Sequence, residues 1–232
     1  MQAPQRMLTV VAGVLAGGCA TGDADEQQYD EVARIIGAGF TTPSGGGELG
    51  AFRDSAILAR GQLPLGAKVT PSGVVENTYG DVRHRYFVVC DDAAGLAVAS
   101  CDETTARARV LGSWIGPLAT DTHDGTLRRG GYWTIYDPWH EMGTVIGSTW
   151  FEYVDGAYRL DDVRSVLLTV NMGYGVVTGG AMHGTITLQD DATLLPDSVD
   201  IRAEITLTPQ TATLTLDGTH TTVVDISPIL IK

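Results

Sequence analysis

Positive charge is scarce in this chain, and lysine is nearly missing. Its 232 residues carry 15 Lys and Arg against 28 Asp and Glu, a formal charge of -13, and only Lys68 and Lys232 are lysines. So acidic a chain offers no broad basic surface. Nucleic acid is therefore not an expected partner, and neither is electrostatic attachment to anionic lipid. The lysine shortage, beside abundant Ala, Gly, Thr and Asp, reads as the mark of a GC-rich genome rather than of a function. Long apolar runs are lacking too. The run over residues 7–20 falls short of the ~20 residues that a bilayer span needs, and no other segment reaches that length.

Recognisable catalytic motifs are the third absence. No Gly-x-Ser-x-Gly nucleophile elbow is present. His140-Glu141 begins like a zinc-protease motif, but Thr144 stands where the second histidine belongs, in strand-like surroundings. Asp121-Thr122-His123-Asp124-Gly125 looks like half a calcium loop without the regular oxygen spacing or the closing glutamate, so it reads as a polar hairpin turn. Gly173, Gly175, Gly179, Gly180 and Gly184 precede no helix whose N-terminus would cradle phosphate; they read as a flexible hairpin connection or a kinked strand. His84 and His220 fall on strands as ordinary hydrogen-bonded or surface residues. No metal and no cofactor is expected, and no catalytic residue is nominated.

What is present begins with Leu15-Ala16-Gly17-Gly18-Cys19. A lone Arg6 and an apolar run precede it, and the acidic stretch Thr21-Gly22-Asp23-Ala24-Asp25-Glu26 follows. That order is the pattern of a secretory signal, with small residues at the cut. Because they end on a cysteine, the stretch resembles the lipobox of bacterial lipoproteins. It departs from the usual box in placing Leu15 four residues before Cys19 and Ala16 three before. The resemblance implies cleavage of a signal peptide, 1–18, and acylation (palmitate included) of Cys19 as the mature N-terminus. Two or three acyl chains anchor stably where one does not. Ala20 in place of aspartate points to the outer membrane rather than retention at the inner one. Cleavage removes Arg6 and no acid, so the charge moves from -13 to -14. The membrane is then a partner through lipid alone. With Cys19 assigned to lipid, Cys90 and Cys101 remain, and an oxidising envelope makes a disulfide the default, with two buried free thiols as the alternative.

Residues 19–26 read as an acidic tether. Tyr29, Val32, Ala33, Ile36 and Phe40 carry helical spacing, with Asp23 or Asp25 as N-cap and Gly37 or Gly39 as the stop. A second helix is expected over 48–60, with Leu49, Phe52, Ala56 and Ala59 on one face. Residues 27–62 thus form a two-helix segment that packs on a β domain over 63–232. Period-two alternation is clearest where Val199, Ile201, Ala203, Ile205 and Leu207 face away from Asp200, Arg202, Glu204, Thr206 and Thr208. It recurs from Val82 to Cys90 and from Ala106 to Trp114, and less regular strands fit 127–136, 143–153, 163–172 and 184–189. Asp217-Gly218 is a hairpin signal. The fold expected is a mainly β, antiparallel up-and-down sheet of about ten strands, closed as a barrel, left as a half-barrel, or split into a sandwich.

The aromatics cluster. Trp133, Tyr136, Trp139, His140, Glu141 and Trp150 lie in two consecutive strands and their connection, and form a candidate for a glycan or small-ligand surface. The alternative puts Trp133 and Trp150 in the core, with Trp139 covering a hairpin. The mature part resembles uncharacterised β-rich envelope lipoproteins. The leading expectation is a non-enzymatic binding or structural module. A carrier holding lipid or another apolar ligand in a half-barrel is the alternative, and a hydrolase with dispersed carboxylates ranks third.

Overall fold

A computed structural model describes residues 24–40, 46–156, 158–190 and 197–226. The expected signal peptide, Cys19 and the start of the expected tether lie outside the described residues, as do 41–45 and 191–196. Helix α1 spans Glu26–Phe40. The Gln28 N–H donates to Asp25 Oδ1 and the Asp25 N–H donates to Gln28 Oε1, both at 2.9 Å. This reciprocal box selects Asp25 as the cap and puts Glu26, expected as the last tether residue, in the helix. Neither Gly37 nor Gly39 stops the helix. A Cβ on Gly37 would lie 2.9 Å from Val224 Cγ2, and one on Gly39 would lie 2.8 Å from Arg129 Nη2. The glycines serve close approach to the sheet. Helix α2 spans Glu48–Ala59 and is buried on nearly every side, including its acids Glu48 and Asp54, where the spacing predicted a single apolar face.

The rest is one antiparallel sheet of eleven strands in sequence order. They are β1 (Lys68–Val69), β2 (Val75–Tyr79), β3 (Val82–Asp91), β4 (Arg107–Ala119), β5 (Asp124–Tyr136), β6 (Met142–Asp155), β7 (Tyr158–Asn171), β8 (Val176–Asp190), β9 (Asp197–Leu207), β10 (Thr211–Leu216) and β11 (His220–Asp225). Among the described residues β1 and β11 do not pair, so the sheet is open. Asp217 and Gly218 take positive φ, 48° and 71°, as the expected tight turn between β10 and β11 requires. Strand β8 starts well before residue 184. The register shift between Thr169 and Val170, with Gly180 at φ 127°, carries the strand through the glycine-rich stretch as a kink. Cys90, near the end of β3, forms a disulfide with Cys101 in the connection to β4, with Cα atoms 5.3 Å apart.

Strands distant in the order meet the same helix. α1 touches β4, β10 and β11, and α2 touches β3, β4 and β8. The sheet is therefore rolled around the helices, which cover its inner face. Trp133, fully buried, lies on that face over positions with no side chain: a Cβ on Gly112 or Gly131 would come within 2.7 Å of its ring. Phe52 of α2 meets the indole edge-on at 5.3 Å between ring centroids.

Charge is sealed into the same core. Glu48, at the start of α2, pairs with Arg129 of β5 and with Arg164 of β7, the latter at 3.4 Å. Thr149 Oγ1 of β6 donates to its other oxygen at 3.1 Å, and Arg164 also pairs with Asp162. All four charged side chains are at most 2% exposed. Phe151 lies between the guanidinium groups, 4.6 Å from that of Arg129 and 5.2 Å from that of Arg164. Burial raises the Glu48 carboxyl's affinity for a proton, but Arg129 and Arg164 more than offset it and hold its pKa below the ordinary value. Asp162 goes the other way, because burial outweighs its arginines. Removing one partner of such a set leaves a buried charge uncompensated, at a cost of about 3–5 kcal/mol. Glu48→Gln should therefore lower Tm by roughly 10 °C in a calorimetric scan. A drop below about 2 °C would mean that the carboxylate is not the counter-charge that fixes the helix.

Candidate functional site

The six residues that the sequence nominated as a ligand surface do not come together. Trp133 faces inward, and Trp150 faces outward at 46% exposure. Both tryptophans are seated on the adjacent pair Gly130-Gly131, from opposite sides of the sheet. A Cβ on Gly130 would meet Trp150 Cζ2 at 2.6 Å, and one on Gly131 would meet Trp133 Cζ3 at 2.7 Å. Tyr136 is outward at the far end of β5. Trp139 folds over Arg60, 5.1 Å from guanidinium to ring, while His140 and Glu141 are exposed in the turn between β5 and β6. Trp133 is thus in the core, as one reading of the aromatics expected, and Trp150 is not.

A different cluster does converge around Trp150. The register of β3 to β6 sets three outward rows side by side. Phe87, Leu111, Tyr132 and Ser148 form the first. Arg85, Ser113, Gly130 and Trp150 form the second, and Arg83, Ile115, Arg128 and Glu152 the third. The small residues Ser113 and Gly130 hollow the middle row. Trp150 closes one end, and Arg85, paired with Glu76 at 3.0 Å, closes the other. Two hollows result, of about 510 Å³ and about 500 Å³, which share Arg85, Ser113 and Trp150. Their size is that of small-molecule sites. Phe87, Leu111 and Tyr132 are each 48–58% exposed, a contiguous apolar patch that a soluble face does not ordinarily display. Sequence reasoning missed these residues. The available signal was a Phe and a Leu on the polar side of two alternating strands.

The buried titratable groups elsewhere are committed to structure. Asp54 of α2 accepts hydrogen bonds from Tyr79 (2.6 Å), Tyr86 (3.1 Å) and Asn77 (3.2 Å). Tyr86 Oη lies 2.7 Å from His84 Nδ1, and Trp114 stacks on the imidazole. Burial, with Arg53 nearby, drives the His84 pKa down to about 3, so the ring stays neutral. The group ties α2 to β2 and β3 and contains no serine or cysteine nucleophile. Asp91 is likewise held, by Arg107 at 2.8 Å and Arg109 at 2.7 Å.

Two histidines fasten α1. His123, in the turn that resembled half a calcium loop, pairs through Nε2 with Glu31 and through Nδ1 with Asp155 at 2.9 Å. His220 of β11 stacks on Tyr29 and reaches Asp30 Oδ1 at 3.2 Å. Glu31 and Asp30 are adjacent, so α1 spans from the β5 side of the rolled sheet to its β11 edge.

No family model, no curated protein and no solved structure matches the chain. The case for function therefore rests on the geometry.

The histidine clip yields a pH prediction. Burial disfavours the His123 imidazolium, but its hydrogen bonds to the Glu31 and Asp155 carboxylates outweigh it and raise the pKa above its ordinary value. A raised pKa contributes stability that is complete below the unfolded value, ~6.5, and is lost as pH climbs through the folded one. Hydrogen exchange along α1, corrected for intrinsic rates, should accelerate between about pH 6 and pH 9. His123→Gln should give the fast rate at both. Equal protection of the wild-type helix at both pH values would remove the clip.

Proposed function

We propose that the protein is a non-enzymatic binding module of the cell envelope. Lipid on Cys19 holds it at the outer membrane, and its ligand engages the outer face of the sheet. The observation that carries this reading is the cleft around Trp150: half-exposed aromatic and aliphatic side chains flank a floor of Ser113 and Gly130. Anchoring is supported by the lipobox-like stretch at Leu15–Cys19 and agrees with the Cys90–Cys101 disulfide, which belongs in an oxidising compartment. A carrier would need a hollow apolar interior. Against that, both helices cover the inner face, and the Glu48, Arg129, Arg164 and Asp162 charges occupy its centre. A dispersed-acid hydrolase would need two free carboxylates facing one pocket. Glu48, Asp54, Asp91 and Asp162, the buried acids among the described residues, are all held by cations or hydrogen bonds.

Two measurements test the two halves. Cells fed a palmitate analogue should label the wild-type chain, and Cys19→Ser should lose the label; retained label would place the lipid elsewhere. Indole and cyclohexanol, added to the ¹⁵N-labelled Cys19→Ser chain, should give saturable shifts of the Trp150 indole N–H and the 111–115 and 128–132 amides. Shifts confined to the inner-face residues Val166, Met182 and Leu214, or no saturable shift, would overturn the outer-face reading.

A further inference from the structure

We infer that the cleft takes a single anionic amphiphile, its apolar body along Phe87, Leu111 and Tyr132 and its charged head against Arg83 and Arg128. The inference rests on the outer face being the binding face. The three rows differ in chemistry across a width of two residues. The first is apolar and aromatic, the middle one is hollowed, and the third carries Arg83 and Arg128. A ligand that fills both hollows and contacts both outer rows has to be apolar at one side and polar at the other.

The sign of the head follows from the arginines. Among the described residues, no carboxylate pairs with Arg83. Arg85 and Arg128 meet Glu76 at 3.0 Å and Glu152 at 3.6 Å. Both arginines are more than half exposed, and pairs of this kind contribute about 0–1 kcal/mol. An incoming carboxylate, sulfate or phosphate therefore displaces the glutamates at little cost and gains the planar donor fork of a guanidinium. A cationic head would meet three arginines, with the two carboxylates of the patch, Glu76 and Glu152, already paired to arginines. The chain as a whole carries -13, so an anionic bilayer repels it. One molecule in the cleft meets Arg83, Arg85 and Arg128 directly, whereas a bilayer faces the charge of the whole chain, and so the ligand is a monomer rather than a membrane surface.

The test titrates the full-length Cys19→Ser chain with decanoate, decyltrimethylammonium and decyl maltoside, each below its critical micelle concentration. Calorimetry measures affinity, and the Trp150 indole signal reports location. Decanoate should bind one to one, at least about tenfold tighter than the other two, and weaken as salt rises. Arg83→Gln/Arg128→Gln should reduce decanoate affinity roughly tenfold while leaving the indole response intact. Trp150→Ala should weaken all three amphiphiles. These side chains are exposed, so an unchanged Tm separates lost binding from lost folding. Equal affinity for the three heads, or no effect of the double arginine change, overturns the anionic inference while outer-face binding of indole stands. Sedimentation with phosphatidylglycerol vesicles, without binding of free decanoate, overturns the monomeric ligand. Loss of the indole response itself sinks the underlying reading.

Discussion

A carboxylate sealed from water stays ionised only beside fixed positive charge, and Glu48 meets that condition with two arginines from different strands. Arg129 comes from β5 and Arg164 from β7, and Thr149 of the intervening β6 supplies a hydroxyl. One side chain at the start of α2 is thereby registered against three consecutive strands. The arrangement is costly to assemble and more costly to break, because each charge depends on the others. Hydrophobic contact alone would let a helix slide over a smooth sheet; the paired charges specify one seat. Phe40, Phe52 and Trp133 then pack around that seat, and Gly39 lets α1 approach Arg129.

The same constraint divides the two faces of the sheet. The inner face is given over to helices and buried charge. The outer face is left open, and the Trp150 cleft lies on it where β3 to β6 pair. Gly130-Gly131 is the hinge of this division, one glycine seating an inner tryptophan and the other an outer one. The chain's acidity gives the outer arginines their meaning. Arg83, Arg85 and Arg128 against Glu76 and Glu152 leave this patch one net positive charge (3 − 2) on a chain of net charge -13.

Much of the fold was legible because alternation is a local property. Val82 to Cys90 and Val199 to Leu207 declare their faces without reference to any partner, and Asp217-Gly218 declares its turn. The boundaries that misled were those where glycine serves packing rather than termination. Gly37 and Gly39 lie inside α1, and Gly179 and Gly180 lie inside β8, each for a reason that only the neighbouring element supplies. The charge network was not legible. Glu48 reads as an exposed first-turn acid, and Arg129 and Arg164 read as the polar side of their strands; that they turn inward together depends on the rolled sheet. The cleft was hidden for a related reason. Arg83 and Arg128 are far apart in sequence, and only the β3–β4–β5 register makes them neighbours. Trp150 was singled out, but with companions that belong to other places.

The most direct measurement is the set of intermolecular nuclear Overhauser effects between decanoate methylene protons and the side chains of the Cys19→Ser protein. An outer cleft predicts contacts to the Trp150, Tyr132 and Leu111 protons and none to the buried methyl groups. Contacts to Val166, Met182 and Leu214 would contradict it, because they would mean that the helices part and that the interior, not the outer face, receives the ligand.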